Sequence, residues 1–189
     1  MKSKSKSDIK TRLSKNLNRM VLEGNDIGIV RYSNNEIIPK IGLGPVHFGM
    51  RIVQVTALLG KPDFRCVDDY EGDINIWYNS GILLSFYKED DFMLEFIEVD
   101  SEYNATLFGV PVSCLCKHEV LEAVDGIEYI EENTYEDMGC EEEGENVILI
   151  KRLSLCFYFD YFNDKLTSIN IGPIIDEHDN VIWPNSQRA

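Results

Sequence analysis

The stretch Phe48-Gly49-Met50-Arg51-Ile52-Val53-Gln54-Val55-Thr56-Ala57-Leu58-Leu59-Gly60-Lys61-Pro62 decides the fold. Ile52, Val55 and Leu58/Leu59 recur at helical spacing, which predicts a short helix over 51–59 with one apolar side. Gly60 and Pro62 stop it, since glycine accepts the backbone conformation past a helix end and proline cannot continue the hydrogen-bond ladder. The period then changes. Ile74 to Tyr78, Ile82 to Tyr87 and Phe92 to Val99 alternate or run apolar, separated by Asn79-Ser80-Gly81 and Glu89-Asp90-Asp91, while Asp68 to Asp73 is a solvated loop. Turns this short predict an antiparallel meander, one face of which the helix covers.

Working outward, the second half repeats the pattern. Phe108-Gly109-Val110 answers Phe48-Gly49-Met50. Pro111 and Ser113 suit a helix start, Leu115, Val120, Leu121 and Val124 give its buried side, and Gly126 lies past its end. Val147 to Ile150, Leu153 to Asp160 and Leu166 to Ile171 form the second meander, with Asn163-Asp164 as its last turn. The offset is 60 residues at the helix starts and 72 at the last strands, so about a dozen extra residues belong to the second copy. The expected fold is therefore α+β: two tandem helix-plus-antiparallel-meander repeats packed as one unit, with an extra N-terminal helix. Repeat 1 spans 25–103 and repeat 2 spans 104–189, with an acidic insertion at about 131–145.

Before the repeats, residues 1–7 are a flexible basic arm too polar to fold alone. From Asp8 to Gly24, Ile9, Leu13, Leu17 and Val21 recur every four positions and predict a helix, either packed on the body or serving as a targeting or membrane-surface segment. Ile27 to Tyr32 and Glu36 to Ile38 follow as short strands joined across Ser33-Asn34-Asn35, and Val181 to Trp183 is one more strand near the end. The glycines of Ile41-Gly42-Leu43-Gly44-Pro45 suggest a phosphate loop only superficially, for no Gly-Lys-Ser/Thr follows and the dinucleotide spacing is absent. A tight chain reversal is the simpler use of them.

The string Gly44-Pro45-Val46-His47-Phe48-Gly49-Met50, then Leu59-Gly60-Lys61-Pro62-Asp63 and a strand bearing Trp77-Tyr78, resembles a bacterial pattern of outer-membrane small-protein-A lipoproteins. In its duplicated form it is similar to β-lactamase inhibitor protein, in which two helix-plus-meander units present a concave sheet to a partner. The first copy matches over roughly 41–100 and the second, about 104–172, in pattern only. The resemblance implies a scaffold that binds protein. Without a secretory segment, a lipid-attachment cysteine near the start or paired cysteines, the chain more nearly resembles bacterial toxin-immunity proteins, and a cytoplasmic location is expected.

Charge narrows the function. The formal net charge is −15, yet the first twenty residues hold seven Lys or Arg against one acid, so the body is far more acidic than the whole. Such a field repels nucleic acid and anionic lipid and speeds encounter with a basic protein. Nucleic acid and membrane are accordingly not expected as partners. Cys66, Cys114, Cys116, Cys140 and Cys156 have no framework spacing and suit reduced thiols. His47, His118 and His178 lie far apart, Cys116-x-His118 lacks companion ligands for zinc, and no cofactor, metal or catalytic constellation is expected.

The acidic segment carries the candidate partner-binding residues Glu131, Glu132, Tyr135, Glu136, Asp137, Glu141, Glu142 and Glu143. A solvated loop is one reading; the other is a phosphate decoy, in which spaced carboxylates occupy a Lys/Arg-rich cleft and a ring anchors the contact. The strand aromatics pose a similar choice. Tyr158, Asp160 and Phe162 belong to one face and Phe157, Phe159 and Tyr161 to the other, because side chains alternate along a strand. The expected function is an immunity or inhibitor protein that neutralises a cognate basic toxin, such as a nuclease, by occluding its active site. The alternative is a non-enzymatic adaptor or assembly protein that binds a peptide or strand.

Overall fold

The computed structural model describes residues 6–23, 35–78, 80–137, 142–178 and 180–184. Helix α1 (Lys6–Glu23) leads the chain. Strands β1 (Glu36–Ile38), β2 (Gly42–Leu43) and β3 (Val46–His47) precede helix α2 (Ile52–Leu59), and β4 (Phe64–Val67), β5 (Ile74–Tyr78), β6 (Ile82–Tyr87) and β7 (Met93–Asp100) follow it. Next come β8 (Thr106–Leu107), β9 (Val110–Pro111) and helix α3 (Lys117–Ala123), then β10 (Ile130–Asp137), β11 (Glu142–Ile150), β12 (Leu155–Asp160) and β13 (Leu166–Ile171). A terminal hairpin joins β14 (Ile174–Ile175) to β15 (Val181–Ile182). The architecture is α+β with predominantly antiparallel pairing.

One eight-stranded sheet, ordered β10-β11-β12-β13-β7-β6-β5-β4, forms the platform. Its two four-stranded halves meet where β7 pairs antiparallel with β13, at Ile97–Ile171, Glu98–Asn170, Val99–Ile169 and Asp100–Ser168. A bulge interrupts each half, between Ser85 and Phe86 beside β7 and between Tyr158 and Phe159 beside β13. A smaller sheet, β3-β2-β1-β8-β9, contains the parallel pair β1–β8. The Glu36 carboxylate reinforces that pair by accepting from the Thr106 hydroxyl and, at 2.8 Å, from the Gly109 N–H.

Alternation sets which sheet face is dry. Ile76, Leu84, Phe86, Ile97, Val99, Ile148, Leu155, Phe157, Phe159 and Ile169 are buried together with Leu13, Leu17 and Met20 of α1, Val55 of α2 and Val120 and Ala123 of α3. Helix starts are fixed locally. The Gln54 side chain accepts the Arg51 N–H at 2.8 Å, and the Glu119 carboxylate accepts the Cys116 N–H at 2.9 Å, each satisfying a donor that the helix leaves unpaired. The reversal between β2 and β3 depends on Gly42, whose φ is +148° and where a Cβ would fall 2.0 Å from the Val46 carbonyl oxygen.

Several sequence expectations change. The insertion at 131–145, open to a loop reading, belongs largely to a hairpin: β10 has eight residues and β11 nine, against four and five in β4 and β5. Phe64 to Val67 is a strand that the sequence pattern did not isolate, since its alternation is masked by Arg65 and by exposure on a sheet edge. The second helix begins later than Ser113, because Val112–Cys114 is a separate 3-10 turn. Phe48-Gly49-Met50 follows β3, whereas Phe108-Gly109 makes the turn between β8 and β9, so the two strings occupy different places. In the N-terminal helix Met20 joins the expected Ile9, Leu13 and Leu17 against the core, while the side chain of Val21 and the expected strand Ile27 to Tyr32 lie outside what the structure describes.

Candidate protein-docking face

The sheet face turned away from the core presents, among the described residues, side chains that are mostly half-buried. Register aligns one row of residues across all eight strands: Phe64, Trp77, Leu83, Glu98, Asn170, Cys156, Leu149 and Ile130. The next row adds Tyr158, across from Val147 and Ser168. All but Phe64 are half-buried. Phe64 remains 58% exposed and packs its ring 5.3 Å from that of Trp77. Aromatic and aliphatic groups beside polar ones are the composition of protein-binding surfaces.

Among the described residues, Glu98 and Asp100 of this face make no ion pair. Burial, then Asp100 and Glu145, push the Glu98 carboxyl above the usual carboxylate range. Burial likewise raises the Cys156 thiol; a hydrogen bond with Tyr158 opposes it, and Glu132 and Glu145 add to the rise. Tyr158 is pushed up to about 12, first by burial and then by Cys156. These directions share one cause: a shaded surface on which negative charge is concentrated disfavours each anion. A second acidic cluster lies at the other end of β7, where burial and then Asp90, Asp73 and Glu89 push Glu95 up to about 8.

The sequence-predicted binding residues divide. Glu132 pairs with Val147 and carries charge to the open face, whereas the Glu131 carboxylate lies 2.8 Å from Lys117 Nζ and ties β10 to α3. Tyr135, Glu136, Asp137, Glu142 and Glu143 sit in the distal hairpin, where register sets Glu136 opposite Glu143 and Asp137 opposite Glu142. Glu141 lies outside the described residues.

Trp77 and Tyr158 were visible in the sequence as strand aromatics, but Glu98 and Asp100 were missed. Their signal was a pair of carboxylates alternating with Ile97 and Val99, obscured because the bulge breaks simple alternation near Glu95. Two sequence aromatics, Tyr161 and Phe162, lie instead in the turn after β12, with rings 5.5 Å apart and edge to face. Among the described residues, no group of three His, Cys, Asp or Glu side chains is arranged to hold a metal ion. Burial, and then a hydrogen bond with Glu119, raise the Cys116 thiol, which disfavours the thiolate needed for nucleophilic chemistry. Among the same residues, no helix is long and apolar enough to cross a membrane.

No protein-family model matches the chain, and no curated protein matches its sequence. Among solved structures it is similar to a DUF4309 family protein, YjgB from Bacillus subtilis, at 13% identity and a TM-score of 0.44, with 88% of this chain and 99% of that one covered.

Proposed function

We propose that the chain is a non-enzymatic inhibitor of the immunity type, which holds a basic protein toxin against the open sheet face and the acidic hairpin and thereby occludes its active site. The observation that carries this reading is the juxtaposition on the sheet face opposite the core of Trp77, Leu83 and Tyr158 with Glu98, Asp100, Glu132 and Glu145. A cationic partner would bury the rings and relieve the repulsion that disfavours the Glu98 anion.

A tandem duplication accounts for the platform. Its support is the mirrored strand order, a bulge at the corresponding place in each half and the Glu98–Asn170 pair at the centre of the join. The helix caps Arg51 and Cys116 also each bridge to the residue that opens or precedes the last strand of their half, Met93 and Lys165. Division at about residue 103 then separates two units that share one core. An adaptor reading draws on a different feature: β4 is an outer strand with Phe64 and Val67 exposed, the arrangement that strand addition exploits.

Retention of basic proteins on the immobilised full chain, from cells that carry its neighbouring genes, tests the inhibitor. Binding should weaken steeply with salt, and replacing Glu141, Glu142 and Glu143 by Gln should slow association. An association rate indifferent to both treatments would discard the decoy. Loss of binding on Phe64→Pro alone would favour strand addition.

A further inference from the structure

We propose that the cavity between β5, β6 and β7 is a socket for one arginine side chain of the protein partner. The inference names the anchor of the docking face and rests on that reading for its biological occupant. The cavity measures about 110 Å³ and is lined by Trp77, Leu83, Gly81, Glu98 and Asp100, among others. That volume admits the end of a side chain rather than a whole nucleotide or sugar. Gly81 keeps one corner open, since its φ is +96° and a Cβ there would lie 2.9 Å from the Asp100 Cβ.

The lining selects a flat, donor-rich cation. Trp77 and Leu83 form an apolar wall, and the Phe64 ring packs against Trp77. Glu98 and Asp100 supply the charge, and among the described residues neither makes an ion pair. One Asp100 oxygen already accepts the Glu102 N–H at 2.8 Å, which fixes the carboxylate and leaves its other oxygen available. Carboxylates without an ion pair beside an indole suit a guanidinium, which presents five N–H groups in a plane, stacks on aromatic faces and is more weakly hydrated than the ammonium of lysine.

A Trp183→Phe background leaves Trp77 as the sole tryptophan of the two in the chain. Its fluorescence is titrated with N-acetyl-Gly-Arg-Gly amide and with the citrulline counterpart, which keeps the shape and loses the charge. A saturable change with a Kd on the order of millimolar is expected for the arginine probe, as befits one isolated anchor. The citrulline probe, and the arginine probe on Glu98→Gln or Asp100→Asn, should bind about tenfold more weakly, while Glu128→Gln, exposed and outside the docking face, binds normally. Circular dichroism confirms that each variant is folded. Equal response to both probes, or undiminished binding in both socket variants, overturns the socket. If the arginine probe binds but no basic protein is retained, the docking reading fails and the socket stands; full partner binding by Glu98→Gln does the reverse.

Discussion

Glu95 shows how a single residue couples charge to stability. It is the extra residue of the bulge in β7, only 8% exposed, with Oε1 buried and unpartnered and its carboxyl pushed up to about 8 by burial first and then by Asp90, Asp73 and Glu89. A folded-state pKa above the unfolded one means that the folded chain binds the extra proton between roughly pH 4.5 and 8, so this contribution is present at low pH and lost as pH rises through 8. Glu95→Gln should therefore raise the melting temperature at pH 8.5, by about 1–2 kcal/mol of stability after solvent screening, and change little at pH 5. An equal gain at both pH values would contradict this account. Gly42 is constrained sterically: Gly42→Ala should cost more than about 3 kcal/mol because its Cβ meets the Val46 carbonyl. Chemical denaturation measures the loss. The sequence pointed to this glycine as a chain reversal, but the Glu95 environment joins β7 to acids from the β4–β5 loop and the β6–β7 turn, which no local pattern reveals.

Among the elements, α1 carries the clearest correspondence between sequence and structure. Leu13 and Leu17 are fully buried, and Lys10 forms a 3.0 Å ion pair with Glu122 of α3. Packing dominates that contact. Leu17→Ala should cost about 2–4 kcal/mol through lost transfer energy and the cavity left behind, whereas Lys10→Ala should cost less than about 1 kcal/mol because the pair is solvent-screened. Comparable losses in urea unfolding would reverse this ranking. The four-residue spacing marked the helix, but choosing between docking on the body and a membrane-surface role required its partner α3. The hairpin of β10 and β11 was less legible, since charged residues conceal alternation and strand pairing supplies what intrinsic propensity does not.

For the molecule as a whole, the join of β7 to β13 makes one core from two halves. Buried residues of both halves and α1 form a single cluster, so unfolding should be cooperative, with fluorescence and circular dichroism giving coincident transitions. Residues 25–103 alone would expose the β7 edge and should not fold; a stable monomer of that length would separate the units. The surface charge also predicts how binding responds to pH. Because the folded-state carboxyl of Glu98 is raised, affinity for a basic partner should increase as pH rises through its ionisation, with proton release on binding measurable by calorimetry in buffers of different ionisation enthalpy.

The sequence by itself determined the local alternatives: a helix where apolar residues recur at helical spacing, strands where they alternate, stops at Gly60 and Pro62, and an acidic body. These properties depend on neighbours within a few positions and remain legible in a linear chain. Only the tertiary structure decided that β7 and β13 pair, that Glu98 and Asp100 share a cavity with Trp77, and that Glu131 turns to Lys117. Each of those facts depends on registry between distant segments, where a one-residue slip moves every side chain to the opposite face.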